Sequence, residues 1–355
     1  MRQVKLGNRV IGDGYPTLVV AEMAWSHDGS VEKAKMIITA AAEAEAEAMN
    51  FHITSMEDYM VPQYKGGRGR IAVGKHGQRI YDYLCTSNLS QEAWRELFDY
   101  ARDRRLLISA MCNDLPSVEF ASQLGADVYG IHSACLGEED LVREVAAKHK
   151  PVFLKVGGTY LGEIERAVLL IQQAGNYDII LIHGIQNYPT RLEDMHLRYI
   201  QSLKRMFSLP VGFADHTDGG SELAMIVPLV ALACGANVIE KHITHDRTLK
   251  GIDFESALEP EGLKDLVQNV REVEKAFGSS AVRPFSTAEA DYRQAAKKRA
   301  VARNTLDKGE RITRDKMTFK RSDDGVYPDE SQYLIGRSVN TKVEKDAPIT
   351  WDKLM

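Results

Sequence analysis

The sequence predicts an α/β protein: a closed (β/α)8 barrel of the TIM type, followed by a small mainly-β domain. Three observations predict it. Short apolar runs of strand length occur eight times, and most are separated by segments of helical apolar spacing. No glycine-rich dinucleotide fingerprint follows the first run, which disfavours the alternative, an open doubly wound sheet. After residue 297 the pattern turns to short β-like runs with frequent turn signals, such as Asp307-Lys308-Gly309 and Asp323-Asp324-Gly325. The length agrees, because 355 residues exceed what one compact core usually uses.

The eight expected strands are residues 17–22, 48–53, 106–110, 127–131, 151–156, 178–183, 210–214 and 236–241. Each is nearly all apolar, as a parallel strand covered on both faces must be. Helical spacing of apolar residues places helices over 31–46, 161–174, 192–207, 221–234 and 261–277. The alternating Ala/Glu stretch 41–48 reads as the end of the first helix, since both residues favour helix. The connection 57–90 is long for a barrel loop and holds Gly66, Gly67, Gly69, Gly74 and Gly77. A lid over the strand ends is one reading of it and disorder without function is the other. Gly278-Ser279-Ser280 and Arg283-Pro284-Phe285-Ser286 carry linker chemistry. The expected organisation is therefore a catalytic barrel over 1–280, a linker over 281–297 and the small domain over 298–355.

Composition excludes several classes. The net charge is -5 with no long basic run, so nucleic acid is not an expected partner. No apolar run of about 18 residues is present, so no membrane partner is expected. Cys85, Cys112, Cys135 and Cys234 are widely spaced, without a paired metal motif; reduced thiols in a cytoplasmic protein are the plain reading. Arg68 and Arg70 form a short cationic cluster that could grip an anionic ligand, or simply be a solvated loop.

The chemistry concentrates at the ends of the last two strands. Gly212-Phe213-Ala214-Asp215-His216-Thr217 and Ile239-Glu240-Lys241-His242-Ile243-Thr244 each bring an apolar run to a histidine. In a parallel barrel the active site lies at the carboxyl ends of the strands. One such histidine alone reads as structural. Two at the same level of adjacent strands can hold a divalent metal and leave positions open for substrate.

With these residues in view the chain resembles the sialic acid synthase family over nearly its whole length. The resemblance rests on Ala21-Glu22, His27-Asp28-Gly29-Ser30, Asn187-Tyr188-Pro189-Thr190, the two histidine segments and Gly251-Ile252-Asp253. In the tail it rests on Lys308-Gly309-Glu310, Lys320-Arg321 and Ile335-Gly336-Arg337, which resemble the family's antifreeze-like SAF domain. The resemblance implies condensation of phosphoenolpyruvate with an N-acetylated amino sugar aldehyde, giving a 2-keto-3-deoxy acid. It implies Mn²⁺ or Mg²⁺ on His216 and His242, polarising the aldehyde oxygen. It implies Glu22 as the carboxylate at the sugar, Tyr188 and Asp253 on acceptor hydroxyls, and Arg321 reaching the N-acyl group. Asp215 belongs to the same catalytic segment. It also implies a homodimer in which the tail of one chain covers the active site of the other.

The donor half departs from the family pattern. Asn50 stands where a lysine is expected, Ser109-Ala110-Met111 where a threonine is expected, and Ala214 where a serine is expected. In Gly130-Ile131-His132-Ser133-Ala134-Cys135 only Ser133 survives. Lys155 replaces a hydroxyl residue at the end of the fifth strand, and His52 and His132 are new. Period-2 alternation puts His52 on the side of Asn50. Asn50, His52, His132, Ser133 and Gln186 are thus the candidate donor contacts. Lys155 has three readings: an anion binder that rebuilds the site with the new histidines, a Schiff-base nucleophile for a ketone donor, or the partner of a neighbouring carboxylate. For the whole chain the alternatives to a synthase are a divergent aldolase or lyase, and a sugar-binding homologue without activity.

Overall fold

The computed structural model describes residues 2–64, 79–278 and 281–355. Arg68, Arg70 and the glycines of the expected lid lie outside the described residues. The chain divides into two compact units, Met1–Gly278 and Ser279–Met355.

The first unit opens with an antiparallel hairpin, β1 (Val4–Leu6) and β2 (Arg9–Ile11), turned at Gly7 with φ 57°. Eight parallel strands then close into a barrel: β3 (Leu18–Ala24), β4 (Ala48–Ile53), β5 (Leu107–Cys112), β6 (Val128–Ile131), β7 (Val152–Lys155), β8 (Ile179–His183), β9 (Val211–Asp215) and β10 (Val238–His242). Each strand pairs with its sequence neighbour, and β10 pairs back onto β3. All eight expected strands are present, with no end shifted by more than two residues.

The helices α1 (Val31–Glu43), α4 (Gln91–Asp103), α5 (Leu115–Gln123), α6 (Glu139–Ala147), α7 (Leu161–Gln173), α8 (Tyr199–Phe207), α9 (Leu223–Ala233) and α10 (Pro260–Phe277) follow the strands. Two short helices, α2 (Met56–Tyr59) and α3 (Ile80–Ser87), sit inside the long connection after β4. Side-chain caps fix several starts: Ser30, Ser90 and Asp114 each accept from a backbone N–H in the first turn. Two helical expectations are corrected. The first helix stops at Glu43 because Glu45 turns left-handed, φ 60°, to launch β4. The expected helix 192–207 begins at Tyr199, because His196 lies at φ 44° and the Met195 carbonyl is taken by the His183 ring.

Alternation along the strands splits the core in two. Outward-facing residues such as Val19, Met49, Ile108 and Phe213 join the layer under the helices. Inward-facing residues Leu18, Val20, Ala48, Val128, Phe153, Ile180 and Val238 fill the lumen, where Val4, Leu6 and Ile11 of the hairpin pack with them. The lumen is thus apolar at the hairpin end, and only the strand ends are polar. Full burial of each such Leu, Ile or Phe contributes about 1.5–3 kcal/mol, so the floor on which the site stands is rigid.

In the second unit the segment expected as linker carries a helix, α11 (Thr287–Ala296), with a capping box between Ser286 and Glu289. β11 (Lys298–Ala302) and β12 (Met317–Arg321) pair antiparallel around a small core of Ala300, Leu306, Ile312, Met317, Leu334, Val339 and Ile349.

Candidate active site

The lumen face continues past the apolar floor into Glu22 on β3, Asn50 and His52 on β4, Ser109 on β5, Lys155 on β7 and Glu240 and His242 on β10. Each lies an even number of residues along its strand from a lumen-packed neighbour, so the pleat aims it inward. Most are buried: Glu22 2%, Asn50 0%, Ser109 0%, Lys155 4% and Glu240 2% exposed.

His216 and His242 meet at the mouth, with ring centroids 5.2 Å apart. His216 Nδ1 donates to the Ile185 carbonyl at 2.6 Å, which fixes the tautomer and leaves the Nε2 lone pair for a ligand. Its own carbonyl is held by Ser256 Oγ at 2.9 Å and Thr190 N at 2.8 Å. Burial keeps His216 neutral by lowering its pKa to about 4, and lowers His242 well below its ordinary value. His242 Nδ1 is buried without a partner. Among the described residues no group of three or more His, Cys, Asp or Glu forms a metal cage. The pair therefore fits a cation as two neutral imidazoles, with its other positions left to water or substrate.

The Tyr188 ring packs against this pair, tilted to His216 with centroids 4.5 Å apart and edge-on to His242 at 5.5 Å. Its hydroxyl donates to Gln186 Oε1 at 2.6 Å, so Gln186, expected at the donor, is bonded to Tyr188, expected at the acceptor. Asp253 is half-buried at φ 61°, and burial raises its carboxyl to about 7 against the pull of His52. Arg321 lies in the second unit, exposed at the end of β12.

Glu22 is fully engaged. Oε1 accepts from Ala24 N at 2.7 Å and lies 3.5 Å from His52 Nε2, and Oε2 accepts from Asn50 Nδ2. Burial opposes its ionisation, but His52, His242 and Lys155 outweigh that and hold the carboxyl well below the usual range. Burial likewise opposes the charge on His52, and Glu22 overcomes it, raising the imidazole. Lys155 Nζ crosses the lumen and donates to both oxygens of Glu240. Pairing with a carboxylate is thus the contact the structure gives Lys155. Burial raises Glu240 while the Lys155 charge opposes the rise. His132 is half-buried and held near pKa 4 by burial; its Nδ1 accepts from Ala134 N at 3.2 Å beside Ser133.

Asp215 differs from its expected catalytic place. It shares the outward parity of Phe213, its Oδ2 accepts from Lys241 Nζ at 2.7 Å, and its Oδ1 accepts from Thr217 N and Oγ1. Both charges are 0% exposed, between strand and helices. The pair clamps β9 to β10 at the level of the two histidines. The His27-Asp28-Gly29-Ser30 segment is also a framework: Ser30 caps α1, Asp28 accepts from Tyr83, and the His27 ring meets Trp94 edge-on at 5.8 Å. His183 is packed outside the lumen against Tyr199.

Sequence reasoning missed Ser109 as a site residue and gave Glu240 and Lys241 no role. Period-2 spacing from His242 would have found Glu240, and spacing from lumen-side Leu107 would have found Ser109, whose Oγ is buried without a partner.

Comparison with known proteins agrees with this architecture. The sequence pattern of the NeuB family matches residues 37–282, and that of the SAF domain matches residues 299–355. An uncharacterized protein of Methanocaldococcus jannaschii is 33% identical over 100% of this chain and 99% of its own. The N,N'-diacetyllegionaminic acid synthase of Campylobacter jejuni is 29% identical over 93% of this chain and 98% of its own. The crystal structure of N-acetylneuraminic acid synthetase from Leptospira borgpetersenii, in complex with citrate, superposes with a TM-score of 0.72 at 29% identity, covering 83% of this chain and 97% of that one.

Proposed function

The chain belongs to the NeuB family, and from that premise we propose that it joins a three-carbon acid donor to an N-acyl amino sugar aldehyde, giving a 2-keto-3-deoxy acid of the nonulosonic type. The observation that carries this reading is the His216–His242 pair at the barrel mouth, with the His216 tautomer fixed and His242 level with the buried carboxylate of Glu22 on the neighbouring strand. Bound by these imidazoles, Mn²⁺ or Mg²⁺ would act as a Lewis acid on the aldehyde oxygen.

The chain's own residues do the rest. Glu22, kept ionised, favours the protonated form of His52 beside the aldehyde, and the Glu22–His52 pair is the proton carrier there. Tyr188 and Asp253 hold acceptor hydroxyls from two sides of the mouth, and Asp253 with a pKa of about 7 can donate as well as accept. The Asp215–Lys241 pair positions the strand ends rather than touching substrate. In a homodimer, Arg321 of a second copy would reach the N-acyl group. Asn50 offers no charge where the family places a lysine, so the donor grip differs from the family's.

The test is product formation. The protein with Mn²⁺ is given N-acyl hexosamine aldehydes of the neuraminic, legionaminic and pseudaminic series, with phosphoenolpyruvate and pyruvate offered separately. A new 2-keto-3-deoxy acid by mass spectrometry is the expected result. No product from any pair would overturn the reading.

A further inference from the structure

On the helix side of the barrel wall, away from the lumen, lies a cavity of about 730 Å³. Its floor is the carboxyl ends of β7 and β8; its sides are the loop entering α8, α8 itself and α9. Small-molecule pockets span roughly 300–1,000 Å³ and are mostly apolar, with a few convergent polar groups. Val156, Ile185, Leu197 and Val230 give this cavity its apolar lining. His196, Arg198 and Ser202 give it polar groups, all from the α8 side. The described lining residues include no carboxylate.

We propose that this cavity is a second binding site, separate from the lumen, for a small amphipathic carboxylate, and that its occupancy orders the loop that fixes His216. The apolar body lies on Val156, Ile185 and Val230. The carboxylate meets the exposed Arg198 guanidinium, whose paired donors match its two oxygens. The site goes beyond the condensation reading and does not depend on it.

Ile185 joins the two sites. It lines the cavity, and its carbonyl accepts from His216 Nδ1 at 2.6 Å and from Thr190 Oγ1 at 3.1 Å. His183 lines the cavity too, 4% exposed, and its ring bonds the Met195 carbonyl at 2.8 Å, tying the loop before α8 to β8. Behind the cavity the backbones meet without side chains between them. A Cβ on Gly157 would lie 1.7 Å from the Gly184 carbonyl oxygen, and one on Gly184 would lie 2.6 Å from that of Ala214. Packing this close passes a displacement on rather than absorbing it. Gln186 and Tyr188 ride on the same segment, 185–190. An occupant that orders this segment lowers the cost of ordering it for a ligand in the lumen, so the coupling is positive.

The probe is anilinonaphthalene sulfonate, an apolar aromatic body with one anionic head, titrated into full-length protein and followed by fluorescence. The expected result is saturable binding. Arg198→Ala weakens it about tenfold or more, the loss of a charged hydrogen bond. Ser202→Trp, which fills the cavity from α8, abolishes it, and both variants keep the wild-type circular dichroism. Hydrogen exchange is then read by mass spectrometry with and without probe. Amides over 185–190 are expected to exchange about fivefold more slowly or better with probe bound. They include Thr190 N–H, which donates to the His216 carbonyl at 2.8 Å. No saturable binding, or binding that neither variant weakens, would overturn the site. Binding at the cavity with exchange over 185–190 unchanged would overturn the coupling. Neither readout uses metal or turnover, so a failure of the condensation reading is seen separately.

Discussion

Two residues carry the metal reading, and their state at neutral pH is set by burial. A metal needs neutral imidazoles, and protons compete only as the pH falls toward a ligand's pKa. With His216 at about 4 and His242 also well below its ordinary value, Mn²⁺ affinity is expected to stay nearly flat from pH 7.5 to 5.5 and to fall only below about 5. Calorimetry across that range checks it; a tenfold loss per unit beginning near pH 6.5 would mean that the histidines are ordinary. Glu22→Gln removes the carboxylate and keeps its shape. General acid–base groups contribute roughly 10²–10⁴-fold, so kcat is expected to fall by about 10²-fold or more with Mn²⁺ affinity unchanged. A fall in metal affinity with kcat preserved would make Glu22 a ligand instead. The histidines and Glu22 were legible because each ends an apolar run. The pairings inside the lumen were not: Glu240 lies 85 residues from its partner Lys155, and Asn50 lies 28 from Glu22. Pairings across a lumen depend on which strands face each other, which no local pattern encodes.

At the scale of elements, the site depends on strand ends held in register. Asp215 and Lys241 are paired across β9 and β10 and are wholly buried. Removing one partner of a buried pair destabilises by roughly 3–5 kcal/mol. Lys241→Met is therefore expected to lower unfolding stability by about that much in urea titration; a loss below about 1 kcal/mol would show that the clamp is dispensable. Close backbone approach matters behind Lys155, where a Cβ on Gly157 would lie 1.7 Å from the Gly184 carbonyl oxygen. The barrel strands were readable because two-sided burial makes each an apolar run. The hairpin β1–β2 was not, since three-residue strands fall below any periodic signal. Helix 192–207 was overextended because its spacing continued through His196, whose left-handed backbone breaks it.

At the scale of the whole molecule, the proposed function assigns the metal and carboxylate chemistry to the barrel and would require Arg321 of the SAF-domain unit to reach the acceptor. Arg321 is exposed, so Arg321→Ala is expected to leave the melting temperature unchanged while raising the acceptor KM several-fold. An unchanged KM would remove the tail from the site. The tail's family was legible from its turn motifs; its helix α11 was not, because a Pro- and Ser-rich start reads as linker until the Ser286–Glu289 box is seen to cap it. The most direct measurement strips the intact protein of divalent metal, adds back Mn²⁺ and follows formation of the 2-keto-3-deoxy acid, for wild type and His216→Ala. The account predicts product only after Mn²⁺ is restored, and none from the variant. Equal rates in the stripped protein, or full rescue of the variant, would contradict it.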